Sequence, residues 1–194
     1  GLGDVYKRQV LHNNELDKDF IAELLMQQND KGDWQIKKVS NLADFIVQLD
    51  AAKRAKQALL NKPVMDRLNK ALQATSERLT LNKDSNKIGS EEKATLTATI
   101  MAKNMSSVAI NRMYYDVTVF NDKGERLYSY PEHYQGSIAP GQAVELTTSK
   151  TLNSMLPDDK KLMNLDITKE TVKIQVTYIA FDNGEVISPK GLIE

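Results

Sequence analysis

The sequence predicts two parts: an α+β fragment built from a β-hairpin and helices, followed by an all-β, immunoglobulin-like antiparallel sandwich of about seven strands. Three observations predict this division. Apolar residues follow helical spacing between residues 40 and 75, they alternate with polar residues after residue 78, and turn-forming tetrapeptides separate the alternating runs. We assign residues 10–75 to the α+β part, including a helical linker, and residues 77–194 to the sandwich.

Composition excludes several classes of function. With 194 residues, 41% of them hydrophobic, the chain is long enough to bury a core. Lys plus Arg and Asp plus Glu both number 26, so no global charge favours nucleic acid or an anionic membrane surface. The chain has no cysteine, which excludes disulfides, thiolate nucleophiles and cysteine-based metal sites.

The first nine residues resemble translated sequencing-adapter sequence. The chain begins without Met, and we set residues 1–9 aside as a non-native segment. We expect the natural N-terminus to be missing, together with any export signal or membrane anchor. No run approaches the roughly 20 apolar residues of a membrane span.

Residues 18–39 predict a first hairpin with the turn Asn-Asp-Lys-Gly at 29–32. A type I turn with a glycine bulge pairs Met26 with Ile36 and Gln28 with Trp34. This register separates an apolar from a polar face, whereas a type I′ turn mixes them. The predicted apolar face contains Phe20, Ala22, Leu24, Met26, Trp34 and Ile36.

A helix is predicted next, with Ser40 or Asn41 as its N-cap. We expect Pro63 to stop or kink it, and a second helical stretch to continue to about Thr75. Because two strands and a helix bury little surface, this part is interpreted as the end of an α+β domain whose first part is absent.

A second hairpin, residues 112–130, forms the predicted centre of the sandwich. Its turn, again Asn-Asp-Lys-Gly, closes either as type I′ or as type I with Gly124 as a bulge. We prefer the bulge because type I′ requires a positive φ at a lysine. The bulge pairs Asn121 with Glu125 and places Val119 beside Leu127.

This register directs Tyr115, Val117 and Val119 to the core and leaves an aromatic stripe on the opposite face. A slip of one residue would move the two tyrosines of the second strand to the core side. The alternative, that the rings pack under a loop or against the other domain, is the commoner fate of large apolar patches. The candidate binding residues are Tyr114, Phe120, Tyr128 and Tyr130.

The remaining strands are predicted from alternation and turns. The expected buried stripes are Ala94, Leu96, Ala98, Ile100 and Ala102 in one strand and Val172, Ile174, Val176, Tyr178 and Ala180 in another. We expect residues 143–149 to form a further strand and residues 152–168 to form a connection with a short helical turn around Met155 and Leu162. Asn183 and Gly184 are expected to form a type I′ turn before a short last strand.

No catalytic, metal or cofactor site is predicted. The two histidines are His12 and His133, and the second lies in a Tyr-Pro-Glu-His-Tyr loop where a surface position is the simpler interpretation. No serine or cysteine pairs with a histidine in a recognisable nucleophilic motif. No glycine-rich phosphate loop follows a strand, and basic residues are not interleaved with the tyrosines.

Two stretches resemble known families. Residues 19–25 and 32–45 are similar to the closing hairpin and helix of uncharacterised bacterial envelope proteins with a cystatin-like or NTF2-like curved sheet, which implies that Trp34 is a core residue. Residues 98–104, 115–124 and 138–141 are similar to the FxLYD-type sandwich of bacterial extracytoplasmic proteins. This second resemblance implies an N-terminal membrane or lipid anchor and no catalytic residues.

The leading hypothesis is a non-enzymatic protein of the bacterial cell envelope, periplasmic or extracytoplasmic, whose sandwich contacts a protein or a glycan. It predicts no cofactor and no nucleic-acid partner, and membrane contact only through the missing anchor. The alternative is a carrier, envelope or cytoplasmic, that holds a small apolar ligand near Trp34 between the curved sheet and its helix.

Overall fold

The computed structural model describes residues 3–84, 89 and 91–190, apart from the side chains of residues 76 and 77. The chain divides into two compact units between residues 62 and 63. The first unit contains β1 (Val5–Asn13), β2 (Lys18–Gln28), β3 (Trp34–Val39) and the start of α1 (Leu42–Ala71). Its sheet is antiparallel with strand order β1-β2-β3.

The second unit contains the end of α1 and, within the described residues, seven strands. These strands are β4 (Leu72–Lys83), β5 (Lys93–Asn104), β6 (Ile110–Phe120), β7 (Arg126–Ile138), β8 (Ala143–Asn153), β9 (Thr171–Phe181) and β10 (Val186–Ile187). A short helix, α2 (Pro157–Met163), and a 3₁₀ turn (Ile167–Lys169) connect β8 to β9. The strands form two antiparallel sheets of order β4-β5-β8 and β10-β9-β6-β7. The predicted α+β fold with a β-sandwich is therefore confirmed.

The register of the first hairpin is also confirmed. Met26 lies opposite Ile36, and Gln28 lies opposite Trp34. Gly32 has φ +84°, and its N–H donates to the carbonyl of Asn29 at 3.0 Å. The bulged turn therefore sets the strand pairing, as a glycine in the left-handed region allows.

The first unit differs from the sequence-based picture at two places. Residues 5–9, which we had set aside from the fold, belong to β1 and pair with β2 from Val5 opposite Met26 onward. They form strand because an extended chain can satisfy the backbone groups along the open edge of β2. Trp34, expected in the core, is 43% exposed because it begins β3, an edge strand.

The helix differs from the prediction at its C-terminal end. It continues through Pro63 and ends at Ala71, so Pro63 does not stop it. Residues 72–75, predicted to be helical, begin β4 instead, with Leu72 opposite Asn104 and Thr75 opposite Met101. Pairing with β5 outweighs the weak helical preference of this stretch, as tertiary contacts commonly do. At the other end, Asn41 precedes the helix. Its side-chain amide accepts a hydrogen bond from the N–H of Glu23 and donates one to the carbonyl of Ile21, both in β2.

The core of the second unit lies between its two sheets. The alternation predicted for β5 is confirmed, since the following side chains are at most 1% exposed: Ala94, Leu96, Ala98, Ile100 and Ala102. The facing sheet contributes Met113, Val117, Val119 and Ile179, which are fully buried. Alternate residues of β6 consequently point away from this core.

Two turns of the sandwich share one hydrogen-bond pattern. Gly124 has φ +78°, and Asn121 donates its N–H to the carbonyl of Glu125 at 3.0 Å, which confirms the bulged turn. The turn at residues 181–185 has the same hydrogen bonds, with Gly184 at φ +84°. The predicted type I′ turn at Asn183 was wrong there, because Asn183 does not have the positive φ that type I′ requires.

Candidate functional site

The aromatic residues predicted as one stripe lie on two different faces of the sandwich. Val119 lies opposite Tyr128, and Phe120 lies opposite Arg126, so Leu127 is an extra residue in β7. The predicted pairing of Val119 with Leu127 was therefore wrong. This bulge shifts the register by one residue and turns the tyrosines of β7 toward the core.

Tyr130 is a core residue. It is 4% exposed, and its hydroxyl is hydrogen-bonded to that of Thr148 at 2.9 Å. Tyr128 lies on the same side, packs against the core and is only partly exposed. Burial, followed by hydrogen bonding to Asp159, raises the pKa of Tyr128 to about 12. These two tyrosines are therefore positioned to stabilise the fold.

Phe120 remains on the outer face, as predicted, but its ring already has a partner. The Nζ atom of Lys173, on the neighbouring strand β9, lies 5.6 Å from the ring centroid of Phe120. At this distance an ammonium group interacts favourably with the ring face. A contact within the same chain thus already covers the ring of Phe120 in part.

Tyr114 is the candidate residue that lies in a concave part of the surface. Its ring centroid is 5.0 Å from that of Tyr178, with an angle of 55° between the ring planes. Tyr114 is 41% exposed, and neither hydroxyl has a hydrogen-bond partner among the described residues. The two rings form one wall of a groove.

A β-bulge in β9 creates this pair of rings. Tyr114 lies opposite Tyr178, whereas Tyr115 lies opposite Val176, so Thr177 has no partner of its own on β6. The extra residue moves Tyr178 to the outer face and Ile179 to the core. The prediction of Tyr178 and Ala180 in the buried stripe was wrong for this reason.

The groove, which we call the Tyr114–Tyr178 groove, has a volume of about 480 Å³. It is lined by Tyr114, Asp116, Pro131, Thr177, Tyr178, Ser188 and Pro189. Ligand pockets in proteins typically have volumes of roughly 300–1,000 Å³ and combine apolar walls with a few polar groups. Two tyrosine rings and two prolines supply the apolar walls here, and a carboxylate and hydroxyls supply the polar groups.

Sequence reasoning missed most of this groove, although one signal was readable. The apolar residues Val172, Ile174 and Val176 are out of phase with Ile179 and Phe181, and this change of phase marks a bulge between them. Asp116 and the two prolines carried no signal, since their importance depends on which strands become neighbours.

The structure also locates the remaining predicted residues. His133 lies opposite Tyr114 in β7, with ring centroids 6.3 Å apart, and does not line the groove. Trp34, near which the carrier hypothesis places an apolar ligand, is 43% exposed. Within the described ranges, no three metal-ligating side chains are grouped as a metal ion would need. None of the helices that the structure describes is long and apolar enough to cross a membrane.

Comparison with known proteins gives no family. No family model matches the chain, and no curated protein matches it. Among solved structures, the chain is similar to the structural-genomics target SoR45, with 14% identity, 64% of this chain and 92% of that chain covered, and a TM-score of 0.36.

Two further similar structures have named bacterial sources. The putative ApaA protein of Bordetella pertussis is 13% identical, with 63% of this chain and 98% of that chain covered and a TM-score of 0.31. The trimeric lipoprotein SadB of Salmonella enterica is 11% identical, with 73% and 80% covered and a TM-score of 0.31. Because all three TM-scores are below 0.5, nothing about this chain is inferred from these likenesses.

Proposed function

We propose that this protein is a non-enzymatic binding protein of the bacterial cell envelope, and that its sandwich contacts a protein or a glycan through the Tyr114–Tyr178 groove. The observation that carries the proposal is the groove itself. The two tyrosine rings, whose hydroxyls have no partner among the described residues, lie beside a carboxylate and provide both stacking and hydrogen bonding. Such surfaces are typical of recognition sites.

The envelope location rests on the sequence. The stretches 98–104, 115–124 and 138–141 resemble the FxLYD-type sandwich of extracytoplasmic proteins. The order of the two sheets, β4-β5-β8 and β10-β9-β6-β7, supports the immunoglobulin-like part of that description, because such sandwiches pack two antiparallel sheets around one core. This sandwich class serves binding at many cell surfaces.

The proposal is tested with a peptide array and a glycan array, probed with the labelled full chain. A variant carrying both Tyr114→Ala and Tyr178→Ala removes the aromatic wall of the groove. The matched control is Tyr6→Ala, which removes an exposed tyrosine of the first unit. We expect some array elements to bind both the wild type and the Tyr6→Ala variant but not the double variant.

Two outcomes contradict the proposal. The first is the absence of any bound element on both arrays. The second is equal binding by the wild type and the double variant, which would assign recognition to another surface. The melting temperature of each variant is measured in parallel, because loss of binding is meaningful only for a folded protein.

A further inference from the structure

Asp116 contributes a carboxylate to the groove. The residue is half-buried, and its carboxylate has no hydrogen bond or ion pair with any described residue. Its cross-strand neighbours are Pro131 and Gln175, and neither satisfies it. The side-chain amide of Gln175 donates instead to Asn69 and to the carbonyl of Val176.

An unpaired carboxylate gains most from a positive charge brought by a ligand. Asp116 has no partner among the described residues, and a cation within about 4 Å would interact with its carboxylate more strongly than a neutral donor. The faces of Tyr114 and Tyr178 act in the same direction, because the centre of an aromatic face is electronegative and attracts cations. Two independent groups thus favour the same sign of charge.

A comparison within the same sheet face supports this interpretation. The outer-face ring of Phe120 is covered by the ammonium group of Lys173. In the described part of the chain, no lysine or arginine covers Tyr114 or Tyr178 in this way. The face therefore contains one aromatic site that is filled from within and one that is open to a cation from outside.

We propose that the Tyr114–Tyr178 groove binds a basic side chain, arginine in preference to lysine, of a partner protein. This inference rests on the proposed binding function and selects protein over glycan. The guanidinium plane stacks on the tyrosine rings and donates hydrogen bonds to the Asp116 carboxylate, and its planar fork suits both contacts. Pro131 and Pro189 contact the methylene stem of the side chain.

The charges around the groove determine the range over which a basic partner is attracted. Arg112 lies two residues before Tyr114 on β6, and Lys173 lies on β9, so the face as a whole is not acidic. Long-range attraction of a basic partner is correspondingly weak. Recognition depends on short-range contacts with Asp116 and the two rings.

The test is an NMR titration of the isotope-labelled full chain with two short peptides. One peptide carries a single central arginine among glycines and serines, and the other carries citrulline, its neutral isostere, at that position. We expect the arginine peptide to bind at least about tenfold more tightly, since citrulline loses both the ion pair and the cation–π contact. The amide signals of Asp116 and Thr177 are expected to shift.

The variant Asp116→Asn gives a second comparison, because it keeps the size of the side chain and removes its charge. We expect it to weaken binding of the arginine peptide about fivefold and to change binding of the citrulline peptide little. If this variant does not fold, the comparison of the two peptides on the wild type still decides the question.

Equal binding of the two peptides, or signal shifts confined to residues outside the groove, would overturn the inference. If neither peptide binds while a glycan from the array binds at the Tyr114–Tyr178 groove, the inference fails and the proposed function stands. If the groove binds neither peptide nor glycan, both fail.

Discussion

The substitution Tyr130→Phe tests the finding that this tyrosine is a core residue and not part of a binding surface. The change removes only the hydroxyl, which is hydrogen-bonded to Thr148 at 2.9 Å. Both residues are almost fully buried, at 4% and 5% exposure, so water cannot replace the lost partner. The free energy of unfolding should fall by about 1–2 kcal/mol, the cost of leaving a buried hydroxyl unpaired.

A double-mutant cycle separates the hydrogen bond from other effects. Thr148→Val alone should cost a similar amount, because it leaves the hydroxyl of Tyr130 unpaired. The double variant should cost less than the sum of the single variants, with a coupling of about 1 kcal/mol. Equilibrium unfolding in urea, followed by far-ultraviolet circular dichroism, measures all four proteins.

Tyr178→Phe is the matched control for this cycle. Its hydroxyl lies at the groove and has no partner among the described residues, so its loss should change stability by less than about 0.5 kcal/mol. The reasoning is refuted if Tyr130→Phe is as harmless as Tyr178→Phe, or if the two changes of the cycle are simply additive.

Three further predictions concern the fold. Gly124→Ala should lower the free energy of unfolding in urea by about 1–2 kcal/mol, because φ at this position is +78° and a side chain is strained there. Apart from the chain neighbours, no described atom lies within 4 Å of the added methyl group, so no steric clash adds to this cost. Gly3→Ala should be neutral. Asn104→Ala should lower stability by about 2–4 kcal/mol, measured as a reduced melting temperature, since the carbonyls of Val108 and Ile138 each lose a donor. Burial, and secondarily Glu132, raises the pKa of Tyr115 from 10.0 to about 12. The neutral phenol of Tyr115 is therefore favoured in the folded state. Its contribution to the free energy of unfolding is fully present below pH 10 and is lost as the pH rises from 10 to 12. Tyrosinate absorbance and the free energy of unfolding against pH check this, and Tyr115→Phe should reduce the alkaline decline without abolishing it, because the pKa of Tyr128 is also raised to about 12.

The turns that contain Gly32 and Gly124 were predictable because glycine marks them. Gly32 and Gly124 each occupy the left-handed region that the bulged turn needs, and the preceding Asn-Asp-Lys residues suit the remaining positions. The register of the first hairpin followed from the separation of its apolar and polar residues. The alternation in β5 was equally clear, because both of its neighbours are antiparallel and one face is buried.

The strand bulges at Leu127 and Thr177 were not anticipated, and they decide the candidate site. Leu127 and Thr177 are ordinary strand residues, and a bulge of this kind requires no glycine. Each bulge moves the side chains that follow it to the opposite faces of the sheet. The first moves Tyr130 into the core, and the second brings Tyr178 out beside Tyr114, so two local irregularities replace the predicted stripe with the groove.

The helix end was mispredicted for a different reason. Residues 72–75 carry apolar side chains at a spacing that suits either a helix or a strand, so periodicity alone could not assign them. Pairing with β5, which is distant in sequence, determines the outcome. Residues 5–9 likewise become strand through long-range pairing with β2.

The central claim is that the sandwich binds its partner at the Tyr114–Tyr178 groove and not along the rest of the outer face. The most direct measurement compares Tyr178→Ala with Phe120→Ala on the same peptide and glycan arrays. Both residues are outer-face aromatics of neighbouring strands in one sheet. The account predicts that Tyr178→Ala abolishes binding and that Phe120→Ala preserves it. Loss of binding in the Phe120 variant with retention in the Tyr178 variant, or equal loss in both, would contradict the claim.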